Sequence, residues 1–337
     1  MALNKNTGYG LALLNMIQNR VGVFGRIFVV SNGTSDYADQ AYLSLSQIFT
    51  PSDGVVRFYT DLATAYAATT SNNNDVILMD AHTSHKLAAM LTVAKNRVHF
   101  FGMDSGGHIE DQRCIISNTG AGAATDTSMV KVTGTGVTFR NIKLANNWTN
   151  ANNLYCVDDQ TSQSIFENCT IQNLGSAHLT NNAAASLRLS SDTTLYRKCT
   201  IGQDTLKITS TGGQQVLIAI ATVAATRVIF EDCQFKSYTS DTTHVFVRVS
   251  ANGDIDRTIR FINPAFLNFN YDASNGGAQL ATAMAAPAGL VSGGILVEAP
   301  RLLFVTKLGV STANKGIYVC LNPAPVASST AAILTTA

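Results

Sequence analysis

The sequence predicts an all-β protein wound as a parallel β-helix, and three observations carry the prediction. A six-residue pattern (aromatic, polar, Asn or Asp, small, polar, apolar) recurs at residues 139–144, 166–171, 196–201 and 230–235, with looser copies at 261–266 and 297–302. Successive copies begin 27, 30, 34, 31 and 36 residues apart, an uneven period that suits a solenoid whose coils differ in their turns. Each copy alternates apolar and polar residues, and a second alternating stretch lies between copies at 154–157, 186–189, 216–219 and 245–249. Period two marks a strand with one buried face; a helical repeat of similar length would show i, i+3, i+4 spacing instead.

Stacked coils lie about 4.8 Å apart, so like residues fall on like residues. Phe139, Phe166, Tyr196, Phe230 and Phe261 are expected to form an internal aromatic ladder, and Cys169, Cys199 and Cys233 a column of small side chains. The six cysteines include no CxxC pair, which removes zinc-ribbon and thioredoxin-like chemistry, and the column reads as buried free thiols.

Before the repeats, Leu11, Leu14, Ile17 and Val21 stand at helical spacing, predicting an amphipathic helix over 8–21. A strand follows at 26–30, then a loop-rich stretch around a second helix at 37–49, closed by the turn Pro51-Ser-Asp-Gly54. Asp61 is placed to cap a short helix over 62–68. Asn72-Asn-Asn-Asp75 breaks it, and strands are expected at 76–79 and 98–101, the latter closed by Gly102. Val132-Thr-Gly-Thr-Gly136 precedes no helix, so it is a tight corner rather than a phosphate loop. Residues 326–337 carry no charge and end in an apolar run containing Ile333 and Leu334. The expected organisation is an attachment arm at 1–53, a β-helix at 54–305 and a cap or tail at 306–337.

Composition narrows the function. The 337 residues hold 23 Lys+Arg against 22 Asp+Glu, 13% charged, about half of the ~25% usual for a soluble domain. A net charge of +1 offers no basic excess for nucleic acid, and no apolar run approaches the ~20 residues of a membrane span. No secretory signal is visible at the amino terminus, so synthesis in a host cytoplasm without export is expected.

The order of helix, polar break, "DVILM" and "VHFFG" strand resembles the opening of pectin-lyase-like right-handed β-helix proteins, in which a short helix plugs the first coil. The longer run of a helical arm, "GRIFVV", "DGVVRFYTDLATAYAATTSNNNDVILM" and a β-helix resembles virion proteins of tailed bacteriophages. That resemblance implies a capsid decoration or cement protein on the virion surface, a homotrimer bound to the major capsid protein. Leu11, Leu14, Ile17, Trp148, Ile333 and Leu334 are then the candidate partner contacts.

Catalytic patterns are sparse. Asp158-Asp159 is an acidic pair, but neighbouring strand residues point to opposite faces, so the pair alone does not supply the two carboxylates that flank a glycosidic bond. Gly106-Gly-His108 lacks the companion residues of a polygalacturonase-like site, and Asp192, Asp204, Asp232 and Asp241 read as solvated turn residues. His82 and His85 read as loop histidines without a third metal ligand, His99 as a sheet-surface residue, His178 as a turn residue and His244 as the start of a strand. Trp148 lies in a polar loop, suiting a subunit contact or a sugar platform. A non-enzymatic structural role without cofactor, metal or catalytic residue is therefore expected. A tailspike-like polysaccharide depolymerase, or an adhesin binding a host glycan, is the alternative.

Overall fold

A computed structural model describes residues 25–31, 57–81, 84–103, 112–269, 277–287, 293–309 and 316–320. Among them the strands form three long, wholly parallel sheets of eleven, eight and seven strands and one two-stranded sheet. Seven successive coils, from Asp75–Met79 onward, give one strand to each long sheet. Ile165–Glu167 belongs to the eleven-stranded sheet, Thr170–Asn173 to the eight-stranded and Ala185–Leu189 to the seven-stranded; Leu195–Arg197 then returns to the first, pairing beside Ile165–Glu167. This is a parallel β-helix, as the repeat predicts, and its crossovers take the right-handed sense.

The aromatic ladder stands where the period places it. Ring centroids from Phe139 to Phe166, Tyr196, Phe230 and Phe261 are 5.0, 4.9, 4.7 and 4.6 Å apart, and Phe100 extends the stack below Phe139 at 4.7 Å. All six side chains are fully buried. Offset stacks of this kind add about 0.5–1.5 kcal/mol per pair beyond area burial. The register Thr170↔Thr200↔Gln234 stacks the cysteines that precede them, and Cys169, Cys199 and Cys233 are buried and free.

The motif's third residue has a backbone reason. Asn141, Asn168, Lys198, Asp232 and Asn263 all adopt left-handed φ, from 51° to 56°. Each makes the sharp corner between the eleven- and eight-stranded sheets, a conformation that Asn and Asp enter at the least cost among residues with a Cβ. The motif's second residue faces outward, where Arg197 and Glu231 pair at 2.6 Å.

A further polar column closes the corner between the eight- and seven-stranded sheets. Asn146 stacks on Asn173, donating Nδ2 to its Oδ1 at 3.1 Å, and each Oδ1 also accepts the backbone N–H two residues on, at Trp148 and Gly175. Both asparagines are fully buried, so these bonds satisfy groups that water cannot reach.

Helix α1, Leu62–Ala68, is capped as expected, with Asp61 Oδ2 accepting from Thr64 N at 2.6 Å. Its Leu62, Ala65 and Tyr66 join the main core, closing the first coil. The sheet reaches beyond the expected 54–305 bounds at both ends, since Ile27–Val30 pairs with Asp75–Met79 and Ile317–Cys320 pairs with Gly293–Glu298. Helix α2, Ser176–Thr180, is a short insertion between two strands. No helix among the described residues is long and apolar enough to cross a membrane.

Candidate functional site

The seven-stranded sheet carries a charged row on its outer face. Its strands Ser128–Val132, Tyr155–Asp159, Ala185–Leu189, Gln214–Ile218 and Val245–Val249 lie side by side. Register puts Lys131 beside Asp158, Asp158 beside Arg188, Arg188 beside Leu217 and Leu217 beside Arg248. The residue before each (Val130, Val157, Leu187, Val216, Val247) belongs to the core, so alternation turns the row outward.

Asp158 is the one carboxylate among the row's three cations. Gln160 Nε2 donates to its Oδ2 at 2.6 Å and Arg188 Nη1 lies 3.5 Å from the same oxygen, while Oδ1 has no hydrogen-bond partner. Burial pushes its carboxyl above the ordinary value, and Arg188, Gln160 and Lys131 pull it partly back. Arg188 is itself held: Nη2 donates to Ile220 O at 3.1 Å, its guanidinium lies 5.5 Å from the Tyr155 ring centroid, and Nε has no partner. Arg248 is fixed through Nε to Gln214 Oε1 at 2.9 Å and through Nη2 to Gly212 O at 2.8 Å. With its side chain only 1% exposed, Asp158 lies beneath this shell.

Asp159 points the other way. It is fully buried and accepts from the Tyr196 hydroxyl at 2.8 Å, and burial pushes its carboxyl up to about 6. The pair is divided between the two faces, as strand geometry requires.

The remaining sequence candidates are dispersed. Leu11, Leu14, Ile17, Ile333 and Leu334, with His82 and Gly106-Gly-His108, lie outside the described residues. Trp148 corrects its expectation: it is fully buried in the main core, and its Nε1 donates to Thr119 O at 3.1 Å. Gly122 lies against the indole, where a Cβ would come within 2.8 Å. Asn146 beside Trp148 belongs to the asparagine column, Asn147 and Asn150 bond to the preceding coil, and the ring itself is in the core, so it offers no surface to a partner or a sugar.

His85 is likewise not a loop residue. It lies in strand Ser84–Leu87, buried, with Nε2 donating to Asp80 O at 3.0 Å; Ser31 donates to the Asp80 carboxylate. His99 is on the outer sheet face but covered, 3.1 Å from Thr138 Oγ1 through Nδ1. His178 sits in α2 and His244 just before strand Val245–Val249, both fully buried. Burial holds them well below the ordinary imidazole value, at about 4 and about 3. Among the described residues no three His, Cys, Asp or Glu side chains are grouped to hold a metal ion.

Lys131, Arg188 and Arg248 escape a motif search because their neighbour Asp158 is a whole coil away from each of the first two. A signal was present: the second repeated stretch aligns as SMVKV, YCVDD, ASLRL, QQVLI and VFVRV, and its fourth position carries Lys, Asp, Arg, Leu and Arg.

No family model and no curated protein sequence matches the chain. Solved structures do. A pectin methylesterase point mutant in complex with a hexasaccharide superposes with a TM-score of 0.53 at 13% identity, covering 88% of each chain. The Aspergillus niger pectin methylesterase in deglycosylated form gives 0.52 at 12%, covering 87% of this chain and 83% of its own. By fold, the chain is a pectin-lyase-like parallel β-helix. At such identity the likeness carries the fold alone. The expectation of a non-enzymatic protein is corrected on this finding: these neighbours are pectin methylesterases, so the lack of familiar motifs does not exclude an enzyme.

Proposed function

We propose that the protein is an enzyme acting on a polysaccharide, and that it hydrolyses an ester substituent at the outer face of the seven-stranded sheet. The observation that carries this reading is the free Oδ1 of Asp158, set between Lys131 and Arg188 on adjacent coils. Glycoside hydrolysis calls for two carboxylates about 5–10 Å apart, whereas this row holds one and its sequence neighbour Asp159 is turned into the core. One carboxylate with cationic neighbours suits ester hydrolysis.

Asp158 Oδ1 takes a proton from a water, whose oxygen attacks the ester carbonyl. The oxyanion forms within reach of Arg188 Nε, a donor otherwise unused. Collapse breaks the bond to the alcohol oxygen, and the departing alkoxide takes the proton from Asp158, leaving a free alcohol and a carboxylic acid. The row from Lys131 to Arg248 spans five strands, about 19 Å at ~4.8 Å each, enough for several sugar units. Substrate access to Asp158 requires the Arg188 side chain, tethered to Ile220 O, to shift while keeping its Nε at the site. The similarity to pectin methylesterases supports a polysaccharide as substrate through fold only.

The test is an assay of acid and alcohol release from esterified polysaccharides, run beside a reducing-end assay for chain cleavage. Ester release that disappears in Asp158→Asn supports the reading; chain cleavage that survives Asp158→Asn removes it. A place on a phage particle, as a trimer beside the major capsid protein, is a separate proposal supported by the sequence resemblance alone. Mass spectrometry of purified particles tests it, and absence of the chain from them ends it.

A further inference from the structure

The eleven-stranded sheet has its own feature near its last coils, on a different sheet from Asp158. Strands Arg257–Ile262, Gly293–Glu298 and Ile317–Cys320 pair in that order. Ile295, Val297 and Val319 enter the core, so Gly294, Leu296 and Tyr318 face outward. There Arg257, Thr258, Gly293, Gly294, Leu296 and Tyr318 line an open hollow of about 280 Å³.

Gly294 leaves bare backbone on the outer face, and Gly293 lets the strands close up behind it, toward buried Ile255. Gly293 sits beside Arg257, and a Cβ there would come within 2.2 Å of the Arg257 carbonyl oxygen. At Gly294 a Cβ would lie 3.1 Å from the Tyr318 ring, so the phenol leans over bare backbone. Tyr318 remains 48% exposed although it is among the largest apolar surfaces in this region. The Arg257 side chain is 65% exposed, and its ion-pair contact, with Asp256, is long at 4.0 Å. Among the described residues its guanidinium has no closer partner, and it shares the hollow with an exposed aromatic face over the bare backbone of Gly294.

We propose that this hollow binds a sugar residue carrying a carboxylate, the ring stacking on Tyr318 and the acid taken by Arg257. An aromatic face accepts the C–H face of a sugar while leaving its hydroxyls wet, and the planar guanidinium fork matches a carboxylate with two parallel hydrogen bonds. Choosing a sugar as the occupant rests on the polysaccharide reading above; the charge preference rests on Arg257 alone. The site has no part in bond cleavage. It holds a second stretch of an acidic chain, raising the effective concentration of substrate at the distant sheet.

The experiment titrates the full chain with hexamers of mannuronate and galacturonate, and with the neutral hexamers of the parent sugars, following amide shifts of Gly294 and Tyr318 by NMR. The acidic hexamers are expected to bind at least about tenfold more tightly than the neutral ones. Tyr318→Ala weakens binding about tenfold or more, consistent with loss of a stacking anchor. Arg257→Gln removes the preference for acid, and Gly294→Ala, a milder change, weakens binding by crowding the ring. Asp158→Asn leaves these shifts intact, so loss of turnover with binding preserved separates this site from the catalytic reading. Should no esterified polysaccharide be turned over while Tyr318-dependent sugar binding persists, the function fails and this inference stands. Absent shifts, equal binding of the acidic and neutral hexamers, or an unchanged titration in a folded Tyr318→Ala protein overturn it.

Discussion

The Tyr196 hydroxyl donates to Oδ2 of Asp159 across 2.8 Å inside the sealed interior, making the one tyrosine in a ladder of phenylalanines the partner of the acid at the coil corner. Burial of this acid couples the core to pH, and the Tyr196 hydrogen bond opposes the shift. Asp159 has its carboxyl raised from 3.8 to about 6, chiefly by burial, so the folded state favours the protonated form. Its contribution is fully present below about pH 4 and is lost as pH rises to about 6, a change on the order of 3 kcal/mol at most. Asp159→Asn is expected to abolish this component of the stability–pH curve, measured by denaturant unfolding between pH 4 and 8. A wild-type and variant pair with parallel curves would contradict it.

The buried histidines act in the opposite sense. His178 and His244 are held at about 4 and about 3, below the ordinary 6.5, by burial, with His244 further lowered by His178 and Arg248 and opposed by Asp241. Their stabilising contribution is present above pH 6.5 and is lost as pH falls toward 4 and 3. Two groups with the larger shifts outweigh Asp159, so the midpoint of thermal unfolding should drop between pH 6 and 4. The His178→Gln, His244→Gln double variant should flatten that drop.

Asp158→Asn should reduce kcat of ester hydrolysis by about 10²- to 10⁴-fold, the range for losing a general base. Arg188→Ala should also lower it, and Arg188→Lys should restore little, because Lys lacks the fork that spans Asp158 and Ile220 O. Folding is checked by near-ultraviolet circular dichroism. An active Asp158→Asn enzyme would move the chemistry elsewhere.

Phe166→Ala removes a fully buried ring stacked on both sides and should cost about 3–5 kcal/mol. Its neighbour Ile165, 36% exposed on the other face, should cost under about 1 kcal/mol when changed to Ala. Urea unfolding of the two variants reads the difference, and equal costs would place Phe166 outside the core.

Thiol labelling follows the same burial. Cys156 has its thiol pushed up to about 12, and burial also raises Cys169 and Cys233. An aromatic disulfide reagent should leave these three unmodified in the native protein and label them on unfolding, as counted by mass spectrometry.

The sequence by itself determined the winding. A side chain that must be dry recurs once per coil, and stacking at the strand spacing leaves Phe139, Phe166, Tyr196, Phe230 and Phe261 no other arrangement. The same local rules fixed the Asp61 cap and the divergence of Asp158 from Asp159, because capping and alternation act within a few residues. Tertiary structure alone decided what lies beside each residue across coils. Register brought Lys131 and Arg188 to Asp158, Arg257 and Gly293 to the hollow under Tyr318, and the Asn146–Asn173 column that buries Trp148. Coils vary in length, so the residue one turn away cannot be counted off along the chain; only hydrogen-bonded pairing of the strands selects it.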